Sequence, residues 1–225
     1  MLSIYLDVPV LTKEYRLLVM ELLSKALDEG PALPCGFASR YCFSVYLPRS
    51  HFREEIELET CHIKVILSTG DRETYLRLGE ALGRLRGCCL TLGDSLWHIG
   101  ALLPVTPKPI PGSPLTIRML SPLLLPREGG CFQLQDEGFT QALRCQTACQ
   151  LEALGADPGL SQELTVLSCG RDREVHVLHQ GVIYRATVGE LMLSGPQGLL
   201  ACLYHYGLGS RRSEGFGLFE ISAQA

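Results

Sequence analysis

The glycine-rich stretch near the end of the chain carries residues suited to binding an anion. From 207 to 217 it reads GLGSRRSEGFG, with two glycine–apolar–glycine pairs around a polar segment. Glycine admits positive φ and lets backbone N–H groups approach a ligand closely, while adjacent arginines offer the fork geometry that suits phosphate. The stretch therefore predicts a site for an anionic, extended ligand. The alternative is a hairpin that closes the last strand.

Two familiar phosphate-binding loops do not fit this spacing. No Gly-Lys-Ser/Thr follows, as a Walker loop requires. The second glycine pair also lies too far from the first for a dinucleotide-binding fingerprint, and it leads into a strand pattern.

The cysteines argue against a structural metal. Ten are present, at positions 35, 42, 61, 88, 89, 131, 145, 149, 169 and 202, and none forms a Cys-x-x-Cys pair. Zinc ribbons and fingers need such pairs, so we expect no metal site and no cofactor. Because the sequence shows no secretion signal, we expect reduced, mostly buried thiols.

Composition indicates an ordinary globular protein. The chain has 225 residues, 46% hydrophobic and 20% charged, which suffices for one large domain or two small ones. No apolar run is long enough to cross a bilayer, and the N-terminus is typical of a strand, so we expect a cytoplasmic protein with no membrane partner. A formal net charge of −4 argues against a generally basic surface but allows a local basic stripe.

Hydrophobic periodicity predicts the elements of the first half. Alternation favours strands over 2–8, 40–47, 62–68 and 95–105, and helical spacing favours helices from Thr12 and over 71–85. An acidic run at Glu54, Glu55, Glu57 and Glu59 is interpreted as a solvated loop or edge. The order strand, helix, strand, strand, helix, strand is that of the split βαβ unit of a ferredoxin-like fold.

The second half repeats this order. Segment 106–114 holds four prolines and is the predicted linker. Beyond it, strands are predicted over 115–125, 163–169, 181–193 and 216–221, and helices over 137–154 and 196–204. The predicted fold is therefore α+β, with tandem ferredoxin-like domains at 1–106 and 115–225.

With this order established, the chain resembles a known family. GLGSRRSEGFGLFEI at 207–221 is similar to the C-terminal glycine-rich loop of the CRISPR-associated endoribonucleases of the sixth Cas family, in the repeat-associated RNA-binding superfamily. Supporting matches are LTLGDSLWHIGALLPV at 90–105, the Leu120-Ser121-Pro122 step, and the segment 181–209. Together they extend over nearly the whole chain.

The resemblance implies a function. Members cleave the repeat of a CRISPR transcript without a metal: the ribose 2′-hydroxyl attacks the scissile phosphate and leaves a 2′,3′-cyclic phosphate and a 5′-hydroxyl. Such chemistry needs a general base, a general acid and stabilisation of the phosphorane charge. The implied partners are CRISPR repeat RNA, mature crRNA and other Cas effector subunits. The oligomeric state stays open.

The resemblance does not extend to the histidine that is usually catalytic in the family. Family members commonly carry a histidine after the first helix, but the corresponding segment, 34–41, has none. The remaining candidates are Tyr41, Arg40 and His51, the last of which lies in the polar turn after the second predicted strand. Their alternatives are a solvated loop histidine, a packed strand aromatic and a surface charge. His62, His98, His176 and His179 are interpreted as structural; His62 and His98 fall inside the strands predicted over 62–68 and 95–105.

The loop is predicted to clamp RNA, mainly through phosphates. Its candidate RNA-binding residues are Gly207, Gly209, Ser210, Arg211, Arg212, Gly215 and Gly217. Arg144, Arg171 and Arg173 are candidates to extend the track. His205, just before the loop, either touches RNA or interacts with the terminal carbonyls of its helix. Two functions stay open: an endoribonuclease that retains its product, and a non-catalytic RNA-binding subunit of an effector complex.

Overall fold

The computed structural model describes residues 1–28, 36–48, 50–52, 55–168 and 170–222. The helices of the first half are α1 Tyr15–Asp28 and α2 Arg72–Arg84. Its strands are β1 Leu2–Asp7, β2 Cys42–Tyr46, β3 Ser50–Phe52, β4 Ile56–Leu58, β5 His62–Ser68, β6 Cys89–Leu92 and β7 Ser95–Pro104.

The first half forms an antiparallel sheet in the order β2-β5-β1-β7-β6. Alternate residues of β5, Ile63, Val65 and Leu67, join the core with α1 and α2. Lys64 and Ile66 therefore lie on the opposite face, which we call the outer sheet face. The central position of β1 between β5 and β7 is that of the split βαβ unit, as predicted.

Three short strands of this half were not predicted. β6 forms a hairpin with β7 and extends the sheet by one edge strand. β3 and β4 form a separate two-stranded ribbon, so the predicted acidic loop is partly a strand. Cys35, Glu54 and Cys169 lie outside the described residues. These strands have three or four residues each, which is too short for periodicity to identify.

The helices of the second half are α3 Phe139–Ala153 and α4 Gln197–Tyr206. Its strands are β8 Leu115–Met119, β9 Pro126–Arg127, β10 Gly130–Cys131, β11 Thr165–Ser168, β12 Arg173–His179, β13 Val182–Val188, β14 Glu190–Ser194 and β15 Phe219–Ile221.

The second sheet runs in the order β11-β14-β8-β15, so β8 occupies the central position that β1 has in the first sheet. The strand predicted over 181–193 was wrong, because it is two strands that separate at Gly189. There φ is +107°, and a Cβ would overlap the carbonyl oxygen of Arg171. β13 pairs instead with the unpredicted β12 in a hairpin outside the main sheet.

Side-chain to backbone hydrogen bonds join the two halves. The Ser44 hydroxyl donates to the Leu120 carbonyl at 2.6 Å, and the Ser68 hydroxyl donates to the His205 carbonyl at 2.9 Å. Each half has its own large apolar cluster, the first spanning residues 2–99 and the second residues 115–221. These bonds orient the two sheets and set the walls of a cleft between them. The domain boundaries at 106 and 115 stay a prediction.

Candidate nucleic-acid interface

A cleft of ≈ 990 Å³ lies between the two halves. One wall is the outer sheet face, with Ser44, Tyr46, Lys64 and Ile66 from β2 and β5. The other wall combines the Leu120–Pro122 step with the β12–β13 hairpin. The hairpin tip also touches the first half, because the Gly181 N–H donates to a Glu14 carboxylate oxygen at 2.9 Å.

The cleft is basic, although the chain is acidic overall. The lining side chains that can carry positive charge are Lys13, Arg16, Lys64, Arg173 and His176. Among the described residues that line the cleft, none is Asp or Glu. Tyr46 is 60% exposed and presents an aromatic surface at the wall. Cations beside an exposed aromatic ring form an arrangement that binds single-stranded nucleic acid.

Sequence reasoning missed most of this surface. Lys64 was unassigned, His176 was interpreted as structural, and Arg173 was only one of three arginines offered as an extension of the loop. Ser44, Tyr46, Lys64 and Ile66 could have been found from the period-2 alternation that places them opposite the core. That alternation does not show whether this face of the sheet lies against the second half of the chain.

The glycine-rich loop lies in the interface between the halves. The Arg16 Nε donates to the Gly215 carbonyl at 3.2 Å, and the Arg16 guanidinium lies 5.1 Å from the Phe216 ring centroid. A Cβ on Gly215 would lie 2.7 Å from Phe43, and one on Gly217 would overlap the Leu208 carbonyl. The φ values of both glycines are positive, at +88° and +74°. These glycines are needed for close packing, which the sequence interpretation did not foresee.

The other predicted RNA-binding glycines are packed in the same way. A Cβ on Gly207 would lie 3.1 Å from the Cys42 sulfur, and one on Gly209 would lie 2.7 Å from the Leu124 carbonyl oxygen. Ser210 donates from its hydroxyl to that same carbonyl at 3.1 Å. The backbone of the loop thus faces protein at each of these positions. Its approach to RNA stays a prediction.

The two loop arginines differ in exposure. Arg212 is 8% exposed and donates from Nη1 to the Gly209 carbonyl at 2.9 Å, and burial lowers the pKa of its guanidinium. The Arg211 side chain is 32% exposed and donates to Glu214 at 2.9 Å, while its guanidinium lies 5.3 Å from the Tyr184 ring centroid. Of the pair, Arg211 is therefore the one that can meet a ligand.

Glu214 links the loop to the hairpin. Its Oε2 accepts from Arg211 and also lies 2.6 Å from Nε2 of His179, whose side chain is buried. His179 packs edge-on against the Phe216 ring at 5.4 Å between centroids. This agrees with its interpretation as structural. The contact fixes the β12–β13 hairpin, and with it one wall of the cleft, to the loop.

Two of the predicted catalytic residues, Tyr41 and Arg40, are not among the residues that line the cleft. Tyr41 is 9% exposed and packs against Phe37 at 5.7 Å; burial, with a smaller contribution from the Glu214 charge, raises the pKa of its hydroxyl to about 12. Arg40 lies 3.6 Å from the Asp71 carboxylate. A phenol held neutral in this way is a poor base near pH 7. Burial and pairing argue against the catalytic roles predicted for both residues, which stay predictions.

His51 lies on β3 and not in a turn, with its backbone opposite Glu57. Its neighbour Ser50 lines the cleft, but the side chain of His51 lies outside the described part of the structure. Its predicted catalytic role stays a prediction. His205 is partly buried at the end of α4, where desolvation lowers its pKa.

Comparison with known proteins identifies the family. A sequence model described as "CRISPR associated protein Cas6, C-terminal" matches residues 105–221, more than half of the chain. The chain belongs to this family. The match extends from the linker through the glycine-rich loop to β15, so the Cas6 assignment rests on the second half. No curated protein sequence matches the chain significantly.

Solved structures agree with this Cas6 assignment in fold. One described as "An RAMP protein binding different RNA substrates" is 17% identical, covers 99% of each chain and has a TM-score of 0.85. Another, from a study of a Cas6-related gene of Pyrococcus furiosus, is 16% identical, covers 100% of this chain and 99% of its own, and has a TM-score of 0.81. These likenesses confirm the tandem ferredoxin-like fold.

A Cas6 product complex is a more distant structural match. It is 20% identical, covers 99% of this chain and 100% of its own, and has a TM-score of 0.59. Within the described residues of our chain, no helix is long and apolar enough to cross a membrane. Nor, within those residues, do three or more His, Cys, Asp or Glu side chains group as metal ligands.

Proposed function

We propose that the chain binds the repeat RNA of a CRISPR transcript in the cleft, cleaves it by attack of a ribose 2′-hydroxyl without a metal, and retains the crRNA. The observation that carries this proposal is the cleft between two ferredoxin-like units in a chain of the Cas6 family, whose described lining residues include five basic side chains and no Asp or Glu. The similar structures described as an RNA-binding RAMP protein and a Cas6 product complex support RNA as the ligand.

The lining of the cleft assigns roles in binding. Lys13, Lys64 and Arg173 would neutralise phosphates, and Tyr46 would stack on a base. Arg16 is already committed to the Gly215 carbonyl, so it supports the wall and leaves RNA contact to its neighbours. Arg211 would add a phosphate contact from the loop, at the hairpin side of the cleft.

The test is incubation of the purified protein with its cognate repeat RNA in EDTA. Cleavage at one position, with a 2′,3′-cyclic phosphate on the upstream product by mass spectrometry, is expected. A repeat carrying a single 2′-deoxyribose at the cleaved nucleotide is the matched control and should bind but stay intact. Binding no tighter than to duplex DNA would refute the proposed function altogether.

A second function, a non-catalytic RNA-binding subunit, is favoured by the buried Tyr41 hydroxyl and the Arg40–Asp71 pair. This subunit would hold crRNA for other Cas effector proteins. Tight binding of repeat RNA with no cut under single-turnover conditions would establish it over the enzyme.

The division of labour between the halves belongs to the same proposal. Residues 1–106 would form the domain that carries the chemistry, and residues 115–225 the domain that carries the loop and hairpin. Because Ser44, Ser68 and Arg16 bond across the interface, separated halves should lose the cleft even where each sheet forms.

A further inference from the structure

Two histidines share one carboxylate on the outer sheet face. Asp7 stands directly opposite His62 on β5 and opposite His98 on β7. The Nδ1 of His62 lies 2.5 Å from Asp7 Oδ1, and the Nδ1 of His98 lies 3.2 Å from Asp7 Oδ2. Both histidines were interpreted from sequence as structural, but their side chains are 67% and 43% exposed.

Strand alternation explains why these polar groups face outward. Their neighbours Leu6, Ile63 and Ile99 are buried in the core of the first half. Asp7, His62 and His98 therefore take the opposite face, in one row across three adjacent strands. Three positions paired across adjacent strands of a sheet hold their side chains more precisely than a loop does.

The hydrogen bonds leave one ring nitrogen of each histidine for a ligand. With Nδ1–H directed at the carboxylate, Nε2 of a neutral ring carries the lone pair, and Nε2 of a charged ring carries a proton. The two histidines lower the pKa of Asp7, His62 contributing most, so the carboxylate remains an anion that supports either imidazolium. One ring can thus accept a proton while the other donates one.

The row continues into the cleft. Lys64, which lines the cleft, is two residues from His62 on the same face of β5, a step of about 7 Å. Its ammonium lies 5.7 Å from the ring centroid of Tyr5, the residue two before Asp7 on β1. On the far side, a hollow of ≈ 250 Å³ is lined by Asp7, Cys61, Cys89, Leu96 and His98, among others. RNA leaving the cleft along this face would reach the histidines.

We propose that His62 and His98, positioned by Asp7, form the acid–base pair that cleaves the bound RNA; this inference rests on the proposed function. The neutral imidazole takes the 2′-hydroxyl proton at Nε2, and the 2′-oxygen bonds to phosphorus. The bond from phosphorus to the 5′-oxygen breaks, and the imidazolium gives its Nε2 proton to that oxygen. The products are a 2′,3′-cyclic phosphate and a 5′-hydroxyl, and the two rings have exchanged protonation states.

The surroundings of the pair suit this role. Among the described residues, the charged or titratable groups near it besides Asp7 are Tyr5 on β1, Lys64 on β5, Cys61 before β5 and Cys89 on β6. Lys64 is placed to stabilise the phosphorane charge from the cleft side. Asp7 touches the histidines and not the RNA, so it is a positioning residue.

The test uses single-turnover cleavage of repeat RNA by the full chain in EDTA. His62→Asn and His98→Asn each keep an N–H donor toward Asp7 but lose the transferable proton. We expect each to slow cleavage by at least about 100-fold, with the RNA dissociation constant unchanged within threefold. Each variant should also lose one limb of the bell-shaped dependence of rate on pH. Asp7→Asn should shift both limbs, a readout that a merely structural contact would not move.

The matched control is Glu80→Gln, an exposed carboxylate on α2 on the other side of the sheet, which should cleave like wild type. If the wild-type protein cleaves the RNA and all three variants cleave it at the same rate, the His62–His98 assignment is overturned and the proposed function stands. Tight binding with no wild-type cleavage would refute the enzymatic proposal and this pair with it. Cleavage that requires added Zn²⁺ would also overturn the assignment, because the cluster would then act through a metal.

Discussion

The glycine-rich loop and the outer sheet face differ in what surrounds them. The loop, residues 207–217, packs against Phe43, Cys42 and Leu124, and Arg212 is 8% exposed. On the outer sheet face, Tyr46 is 60% exposed and Lys64 lines an open cleft. The segment with the strongest sequence signal for a ligand thus has protein as its closest contact, and a strand face without a motif is open to a ligand.

This difference shows that glycine spacing indicates a position where the backbone lies close to another group, but does not indicate whether that group is a ligand or another part of the protein. A backbone that passes near a phosphate and a backbone that passes near another strand both need the absence of Cβ. Substitutions in each region test whether the loop is chiefly a packing element and the outer sheet face chiefly a binding surface.

The largest effect is expected from Gly217→Ala. The added Cβ would overlap the Leu208 carbonyl, and φ of +74° is strained for alanine. We expect the free energy of unfolding to fall by more than about 4 kcal/mol, measured by urea denaturation. The control, Gly83→Ala in α2, where nothing lies near the new Cβ, should stabilise by about 0.5–1 kcal/mol. If the Gly217→Ala protein is as stable as wild type but binds RNA more weakly, the loop contacts RNA directly.

The buried Tyr41 should make stability fall at high pH. The pKa of its hydroxyl is raised in the folded state to about 12, so the stabilisation is complete below the unfolded value near 10 and is lost as pH rises toward 12. In wild type, ionisation of Tyr41 should lower the free energy of unfolding by on the order of 2 kcal/mol over this window, and Tyr41→Phe should abolish that decrease. A parallel decrease from Cys42 should remain, because burial also raises the pKa of its thiol to about 12. Denaturation curves at pH 9, 10 and 11 measure the slope.

The exposed Tyr46 provides the control for Tyr41. Tyr46→Phe removes the hydroxyl of a residue that is 60% exposed, and it should leave the free energy of unfolding at pH 7 within about 0.5 kcal/mol of wild type. A slope unchanged by Tyr41→Phe would contradict the burial of Tyr41. A large fall in cleavage rate on the same substitution would support the catalytic role predicted from sequence.

Lys64→Ala tests the outer sheet face as a binding surface. Loss of one phosphate contact should weaken repeat-RNA binding by about tenfold at low salt and reduce the slope of log affinity against log salt by about 0.7–0.9. Arg86→Ala, an exposed change just after α2, is the control and should leave both quantities unchanged. Equal effects of the two substitutions would mean that the cleft has no special role in binding.

The smallest effect is expected from Arg211→Ala. Its partly exposed pair with Glu214 should contribute less than about 1 kcal/mol to stability. If the outer sheet face binds most of the RNA, affinity should fall by less than threefold, as measured by fluorescence anisotropy. A fall of tenfold or more would show that the loop clamps RNA as strongly as Lys64 does.

Much of the fold was predictable because it depends on local pattern. Alternation in β5 and helical spacing in α2 matched the observed elements, since each needs one apolar face against a core. β12 was missed and the 181–193 segment was wrongly joined, because the turn at Gly189 depends on the Arg171 backbone, which periodicity does not report. The candidate site was less predictable, since its walls come from strands far apart in sequence.

The sequence by itself determined the four long helices, most strands of the two main sheets, the tandem ferredoxin-like fold and the resemblance to the Cas6 family, because these depend on spacing along the chain. Only the tertiary structure decided that Gly215 meets Arg16 and Phe43, and that Asp7 stands between His62 and His98. Contacts across 199 residues, or between strands paired in a sheet, are set by packing and register. The glycine spacing therefore identified the loop as a motif but did not show that the loop packs in the interface between the two halves. For the same reason, His62 and His98 were interpreted from sequence as structural.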